Sequence, residues 1–251
     1  MGHHREGGAD RDRGRTVDVK AALREQAWTA LEQSGASRFP GAEGRIPNFT
    51  GAEEAAERLR QLDPWQSARR LKANPDSPQW PVRQRALEDG KTVYMAVPRL
   101  AEEPPFLVLD PDELASSPRR ASSIKGASRS GRPADVADLE SVQLVVIGSV
   151  AVASDGARLG KGGGFSDLEF AVGRAAGVIA ADAVIITTVH PVQLLESGEV
   201  PMAAHDVPVD LIVTPNDVID CRGGPYRRPS GILWDELSED KIEAIPLLQR
   251  L

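Results

Sequence analysis

Residues 142–172 read VQLVVIGSVAVASDGARLGKGGGFSDLEFAV, and this stretch decides the fold. Residues 142–147 are apolar at nearly every position, as expected of a strand that is buried on both faces of a sheet. The glycine-rich turn at residues 158–165 follows, and a helical pattern then runs over about residues 166–179. Open α/β sheets bind ligands beside such strand ends. The order of strand, glycine-rich turn and helix therefore predicts an α/β fold that handles phosphate at the turn.

The rest of the chain continues this alternation. Strands are predicted at residues 92–97, 106–109, 183–189 and 209–214. Helices are predicted from near Val17 to Gly35 and at about 51–62, 64–72, 80–89 and 192–197. Residues 116–134 are rich in Ser, Arg, Gly and Pro, which predicts a mobile surface loop. The expected architecture is a mostly parallel sheet sandwiched by helices.

Composition sets the class of protein. The chain has 251 residues, of which 41% are apolar and 27% charged, as in an ordinary globular protein. We expect one domain over residues 17–251, preceded by a disordered arm at residues 1–16, which are rich in Gly, Arg and Asp. The formal net charge of −7 argues against binding nucleic acid through phosphate neutralisation.

The compartment is predicted from what the chain lacks. Cys221 is the single cysteine, so no internal disulfide can form, and a reducing cytoplasm fits. No apolar run has the roughly 18–20 residues that a membrane helix needs. The first residues are polar and carry no apolar signal core. We therefore expect a cytoplasmic protein that does not enter a membrane.

The turn Arg158-Leu159-Gly160-Lys161-Gly162-Gly163-Gly164-Phe165 has the composition of an anion-binding loop. Glycines accept positive φ and let consecutive N–H groups point at an anion, and the next helix adds the positive end of its dipole. Arg158 and Lys161 add formal charge for phosphate oxygens, and Ser166 or Asp167 can cap the helix. The turn lacks the Walker A pattern, and Phe165 takes the third glycine position of the dinucleotide pattern. The structural alternative is a tight turn without a ligand.

Three segments resemble the 5-formyltetrahydrofolate cyclo-ligase family, also called methenyltetrahydrofolate synthetases. Residues 155–167, DGARLGKGGGFSD, are similar to the family signature Gly-x-Arg-Leu-Gly-x-Gly-x-Gly-Tyr-Tyr-Asp. Lys20-x-x-Leu23-Arg24 resembles an N-terminal element that the family uses at its ATP site. Residues 201–214 resemble the Pro-x-x-x-His-Asp run near the family's C-terminus. The resemblance spans about residues 17–245, with its three segments in the family's order.

Further segments resemble one branch of this family, the methenyltetrahydrofolate synthetase domain-containing proteins. They are residues 44–49, 74–79, 98–100, 148–152 and 164–169.

The resemblance implies a NagB/RpiA/CoA-transferase-like form of the α/β fold and an ATP- and Mg²⁺-dependent enzyme. In the family reaction, ATP phosphorylates the formyl oxygen of 5-formyltetrahydrofolate, and ring closure gives 5,10-methenyltetrahydrofolate. The expected partner is a small molecule, either a reduced folate or a similar formyl compound. The oligomeric state is left open, with a homodimer as one option. The expected catalytic residues are Lys161, Arg158 and Asp167, and Asp167 is also the expected Mg²⁺ ligand. The expected nucleotide-binding residues are Lys20, Arg24, Arg158, Gly160, Lys161, Gly162, Gly163, Gly164 and Phe165.

Two departures from the family pattern keep alternatives open. Residues 165–168 are Phe-Ser-Asp-Leu where the family has Tyr-Tyr-Asp and a basic residue. Residues 77–80 lack the carboxylate that contacts the folate and its formyl group in the family. One alternative is ATP-dependent cyclisation or condensation of another formyl- or carboxyl-bearing metabolite. The other is a non-catalytic module that binds a nucleotide or a folate in regulation.

Two histidine positions have a structural interpretation beside the functional one. His190 ends a predicted strand, and anchoring of a strand-to-helix turn is favoured over contact with the site. His205 and Asp206 are interpreted as structural, with Asp206 capping or orienting the turn before the last buried strand.

Overall fold

A computed structural model describes the chain from residue 6 to residue 251, and its side chains from residue 14 onward. The helices are α1 (Glu6–Gln33), α2 (Ala52–Arg60), α3 (Asp63–Ser67), α4 (Trp80–Glu88), α5 (Pro118–Ala121), α6 (Ile124–Ser130), α7 (Phe165–Ala175), α8 (Glu239–Glu243) and α9 (Pro246–Arg250). The strands are β1 (Arg70–Ala73), β2 (Thr92–Ala96), β3 (Phe106–Leu109), β4 (Arg132–Ala134), β5 (Val142–Val146), β6 (Ala151–Ala153), β7 (Arg158–Leu159), β8 (Ile179–Thr188), β9 (Leu194–Leu195), β10 (Leu211–Val213) and β11 (Val218–Asp220). Short 3-10 turns lie at Ser77–Gln79, Pro98–Leu100, Val136–Asp138, Pro191–Gln193 and Trp234–Glu236.

The main sheet has eight strands in the order β11-β10-β8-β5-β1-β2-β3-β4. The central strands β10, β8, β5, β1 and β2 pair in parallel. The edge strands β11, β3 and β4 are added by antiparallel pairing. A small second sheet, β7-β6-β9, carries the hairpin that leads into the glycine turn. The predicted α/β class with a mostly parallel sheet between helices is confirmed.

Two apolar cores cover the two faces of the main sheet. Along β5, Leu144 and Val146 belong to the core that packs against α1, α2 and α4. Val145, and Ile147 just after the strand, belong to the core that packs against α7 and α9. Alternation of buried side chains between two cores is what a strand covered on both faces requires, so the apolar pattern of this segment is accounted for.

Four sequence predictions are corrected. The first helix begins at Glu6 rather than near Val17, so the expected arm at residues 1–16 is helical from residue 6, and residues 1–5 lie outside the described part. The helix continues through Gly7, Gly8 and Gly14, whose low helix propensity is why that part of the sequence carries no helical signal. The helix predicted at 64–72 ends at Ser67, and residues 70–73 form β1 instead, because pairing with β2 and β5 outweighs local helix propensity.

The other two corrections concern loops and turns. The loop predicted at 116–134 contains α5, α6 and β4. The Ser123 hydroxyl starts α6 by accepting a hydrogen bond from the Gly126 N–H at 3.0 Å. The helix predicted at 192–197 is a 3-10 turn followed by β9, which pairs with β6. Among residues 6–251, no helix is long and apolar enough to cross a membrane.

Candidate active site

A cavity of about 590 Å³ lies where α1, the glycine turn and the segment before β10 meet. Helix α1 lines it from Thr16 to Arg24, and the segment before β10 lines it from Met202 to Asp206. The glycine turn contributes Gly160, Gly162 and Gly164. The three segments that carry the family resemblance thus meet around one cavity, although they lie far apart in the chain.

The glycine turn has the backbone of an anion nest. Gly162 has φ 106° and Gly164 has φ 64°, conformations that L side chains rarely adopt. None of the backbone N–H groups of Gly162, Gly163 and Gly164 donates to a partner among the described residues. Gly164 is the N-cap of α7 and supplies no side-chain acceptor, so the prediction that Ser166 or Asp167 caps the helix is wrong. The helix start is left open to an anion.

Two cations from one face of α1 line the cavity, and one of them reaches the turn. Arg24 donates from Nε to the carbonyl oxygen of Gly160 at 2.7 Å. Its guanidinium carbon lies 3.5 Å from the position that a Cβ would take on Gly162. Burial lowers the pKa of Arg24, and the nearby carboxylate of Asp206 opposes that effect. Lys20 is buried one helical turn away and forms an ion pair with Asp206. Both cations line the cavity, Arg24 against the turn and Lys20 beside Asp206.

Arg158 and Asp167 form a buried ion pair at the wall of the cavity. Arg158 donates from Nη2 to Asp167 Oδ1 at 2.5 Å, from Nη1 to the Gly148 oxygen at 2.9 Å and from Nε to the Val207 oxygen at 3.3 Å. The Val207 N–H also donates to Asp167 Oδ1, at 3.0 Å. Because all three nitrogens of the guanidinium already have acceptors, these contacts hold the turn against its neighbours.

The other predicted site residues lie outside the cavity lining. Lys161 is half exposed, and its Nζ lies 3.8 Å from Asp76 Oδ1. Burial raises the pKa of Asp76, with Lys161 the largest opposing charge. The ring of Phe165 packs against the core on the α7 side. Gly163 belongs to the turn but does not line the cavity. The structure therefore gathers Lys20, Arg24, Arg158, Gly160, Gly162, Gly164 and Asp167 around one space.

Sequence reasoning missed two acidic groups that line this cavity and a basic group that contacts the glycine turn. Asp206, assigned a structural role, lines the cavity while its Oδ2 accepts from the Ala203 N–H at 2.6 Å. Glu236 also lines it and contacts the ring of His205. Lys241 contacts the glycine turn. The His-Asp pair carried a signal in the family resemblance, whereas Glu236 and Lys241 had none, because nothing local shows that the C-terminal segment returns to the turn.

His190 has the role that was favoured for it. Its Nδ1 accepts a hydrogen bond from the Val192 N–H at 3.3 Å, and Gln193 closes the turn by accepting from the His190 N–H at 2.8 Å. Burial lowers the pKa of His190. The residue anchors the turn after β8 and is absent from the lining of the large cavity.

A protein-enclosed metal site is not present among the described residues, where no group of three or more His, Cys, Asp and Glu side chains can hold a metal ion. Asp167 Oδ1 and Asp206 Oδ2 are already engaged by hydrogen-bond donors. Mg²⁺ that travels with a nucleotide needs only one or two carboxylates besides phosphate oxygens and waters. The donor set at the cavity therefore fits a nucleotide-borne Mg²⁺.

The region where the family pattern has a carboxylate holds a buried amide instead. Gln79 is fully buried, and its Nε2 lies 3.4 Å from Thr188 Oγ1. Its Oε1 has no hydrogen-bond partner among the described residues. A Cβ on Gly148 would lie 3.0 Å from that oxygen. An unpaired acceptor in a buried position is costly, and Gln79 is absent from the lining of the large cavity.

A buried charge pair lies on the neighbouring strand and helix. Lys72 on β1 contacts Glu169 on α7 at 2.5 Å, and both side chains are buried. The Asn74 amide donates to the same Glu169 oxygen at 3.1 Å. The pair ties the first turns of α7 to the end of β1.

Comparison with known proteins supports the resemblance. The model of the 5-formyltetrahydrofolate cyclo-ligase family matches residues 16–215. The chain is 36% identical over 235 residues to the methenyltetrahydrofolate synthase domain-containing protein of Bos taurus, covering 92% of this chain and 61% of that protein. It is 34% identical over 241 residues to the protein of the same name from Homo sapiens, covering 94% and 62%. The chain thus spans about three fifths of the length of these curated relatives.

A solved structure supports the fold. The NMR structure of Aquifex aeolicus 5,10-methenyltetrahydrofolate synthetase superposes with a TM-score of 0.52 at 18% identity, covering 83% of this chain and 96% of that one. By the family match over most of its length and the identity to these relatives, the chain belongs to the 5-formyltetrahydrofolate cyclo-ligase family.

Proposed function

We propose that the protein is an ATP-dependent 5-formyltetrahydrofolate cyclo-ligase. One observation carries the proposal: the cations of α1, the unpaired N–H groups of the glycine turn and two carboxylates border the same cavity. Phosphoryl transfer is mostly positioning and charge stabilisation, and these groups supply both. Membership of the family supplies the reaction class.

The proposed reaction has two stages. The formyl oxygen attacks the γ-phosphorus of ATP, a P–O bond forms, and the bond to ADP breaks. N10 then attacks the activated formyl carbon, loses its proton, and inorganic phosphate leaves with the original formyl oxygen. The product is the 5,10-methenyl ring. ATP is needed because an amide-like formyl oxygen is a poor leaving group until it is phosphorylated.

The residues divide into groups that bind and groups that position. Arg24 and the N–H groups of Gly162 and Gly164 are placed to receive phosphate oxygens. Arg158 and Asp167 hold the turn in its shape, since their charges are satisfied by each other. Lys161 contacts Asp76 and meets a phosphate only by rotating away from it, so its predicted catalytic role remains a proposal.

The proposal includes Mg²⁺, which Asp167 and Asp206 would hold. Each carboxylate has one oxygen engaged by protein donors and a second that is not engaged by a hydrogen bond among the described residues. Held by these carboxylates, Mg²⁺ would supply positive charge to balance the phosphate chain. Lys20 holds Asp206 in place through their ion pair.

A second candidate function is favoured by Gln79. A neutral amide with an unpaired oxygen stands in the region where the family pattern has a carboxylate. An amide does not supply the negative charge that the family's carboxylate would supply there. The same activation by ATP would then act on a different formyl- or carboxyl-bearing metabolite.

Incubation with ATP, Mg²⁺ and 5-formyltetrahydrofolate tests the proposal, with methenyl absorbance and ADP followed together. Both products in equal amounts support it. ADP formed only with another formyl compound supports the second candidate. Nucleotide binding without either product supports a regulatory module.

We also propose a cytoplasmic location and a small-molecule partner rather than nucleic acid. Burial raises the pKa of the Cys221 thiol to about 11, so this single cysteine is poorly suited to redox chemistry. The net charge of −7 opposes binding to a phosphate backbone.

A further inference from the structure

A lysine from the C-terminal segment contacts the glycine turn. Lys241 lies on α8, and its ammonium donates to the Gly163 carbonyl oxygen at 3.0 Å. The same nitrogen lies 3.1 Å from the position that a Cβ would take on Gly164 and 5.0 Å from the ring centroid of Phe165. One cation thus touches three consecutive residues of the turn just before α7.

Contacts before and after α8 in the chain hold this lysine at the turn. The Ser238 hydroxyl caps the helix by accepting a hydrogen bond from the Lys241 N–H at 3.3 Å. After α8, the side chains of Ile245, Leu247 and Leu248 are buried in the core on the α7 side. The short helix is therefore fixed by a cap before the lysine and by apolar packing after it.

The ammonium of Lys241 has N–H donors and a positive charge that its contacts with the described residues do not use. It carries three N–H donors, and its one hydrogen-bond acceptor among the described residues is the Gly163 carbonyl. Among the described residues, no carboxylate lies within ion-pair distance of the Lys241 ammonium. Burial lowers the pKa of Lys241, and Asp167 is the charge that opposes this. A half-buried cation without an anionic partner stands at the turn.

The position of Lys241 complements that of Arg24. Arg24 approaches the turn at Gly162, and Lys241 approaches it at Gly164. Lys241 lines a pocket of about 90 Å³ that shares Gly164 and Asp167 with the large cavity. An anion seated on the N–H groups between the two glycines would have one cation at each end.

We propose that Lys241 is a phosphate-binding residue, which the C-terminal segment adds to the nucleotide site. The identity of the anion, the polyphosphate chain of ATP, rests on the proposed function. Lys241 lies outside residues 16–215, which the family model matches, so this contact is a contribution of the segment that follows. The segment thereby becomes part of the site rather than a peripheral extension.

Binding of three probes to the full chain tests this: the ATP analogue AMP-PNP with Mg²⁺, inorganic triphosphate with Mg²⁺, and adenosine. Calorimetry compares Lys241→Met, Lys241→Gln, Lys241→Arg and the control Lys125→Met with the natural protein. The Gln variant keeps an N–H donor for Gly163 without the charge, and the Arg variant keeps the charge. Lys125 is an exposed lysine on α6 and controls for the loss of one positive charge.

The Met and Gln variants should bind AMP-PNP and triphosphate about tenfold more weakly or worse, as expected for loss of a hydrogen bond to a charged group. Their affinity for adenosine should stay within about twofold, and the Arg and Lys125→Met variants should bind like the natural protein. Three results would overturn the proposal. The Lys241→Gln variant could bind the phosphate probes as tightly as the natural protein, all variants could bind them equally, or the natural protein could bind neither phosphate probe. If the Lys241→Met variant does not fold, the affinities of the Lys241→Gln and Lys241→Arg variants for the phosphate probes decide the question. Normal binding without methenyl formation would count against the cyclo-ligase proposal and not against this one.

Discussion

Arg158 Nη2 and Asp167 Oδ1 are 2.5 Å apart, in an ion pair whose side chains are 1% and 11% exposed. Both residues were expected to be catalytic, with Arg158 also binding the nucleotide and Asp167 also binding Mg²⁺, and in the structure they contact each other. Their pair links the strand before the glycine turn to the helix after it. The shape of the turn therefore depends on a buried charge pair.

Breaking this pair should destabilise the protein. Arg158→Met leaves the Asp167 carboxylate buried without its cation, and we expect the free energy of unfolding in urea to fall by about 3–5 kcal/mol. The matched control is Arg222→Met, which breaks an exposed pair with Asp220 and should leave the stability almost unchanged, because solvent screens that pair. Equal losses in the two variants would mean that the buried pair has no special part in holding the turn.

Arg24 should contribute to nucleotide affinity. Arg24→Met removes the cation that lies against Gly162, and we expect the dissociation constant for ATP to rise by about tenfold or more. The control is Arg38→Met, an exposed arginine that donates to the nearby carbonyl groups of Gly35 and Ser37. Calorimetry measures both. An unchanged ATP affinity in the Arg24 variant would place the phosphates elsewhere.

Gly162→Ala should impair turnover through the backbone alone. The residue has φ 106°, and an added Cβ would meet Arg24 at an ordinary contact distance of 3.5 Å. A non-glycine residue in this conformation is strained by about 1–2 kcal/mol, which the turn can relieve only by changing shape. Gly198→Ala is the control, since Gly198 has φ 83° on the surface away from the turn. We expect both variants to lose stability and only the first to lose activity; loss of activity in both would indicate a general effect.

Asp76 should give the protein a pH-dependent stability. Burial raises its pKa above the ordinary 3.8, so the folded state favours the protonated acid. The stability from that preference is complete below the ordinary pKa and is lost as the pH rises through the raised one. Asp76→Asn does not titrate, so the melting temperature of this variant should rise relative to that of the natural protein as the pH increases above the ordinary carboxyl pKa. A difference in melting temperature between Asp76→Asn and the natural protein that stays constant with pH would contradict the account.

The sequence predicted the strands that are buried on both faces of the sheet. The apolar runs at residues 106–109, 142–147 and 183–189 were placed correctly, because burial on both faces leaves a local signature in strands. The strand at residues 70–73 was missed, since its place between β2 and β5 comes from long-range pairing. The helices inside 116–134 were hidden by a composition typical of loops.

The site was predicted where motifs carried it and missed where the fold supplied it. Lys20 and Arg24 were predicted from helical spacing and the family resemblance, and both line the cavity. The pairing of Lys161 with Asp76 could not be read from the sequence, because it joins the glycine turn to a different strand end. The return of Lys241 to the turn depends in the same way on tertiary packing.

The fate of the formyl oxygen tests the proposed reaction most directly. The protein would be incubated with ATP, Mg²⁺ and 5-formyltetrahydrofolate that carries ¹⁸O in its formyl group, and the inorganic phosphate analysed by mass spectrometry. The proposed mechanism predicts one ¹⁸O atom in each phosphate released, in step with methenyl formation. Unlabelled phosphate, or ADP without the methenyl product, would contradict activation of the formyl oxygen by ATP.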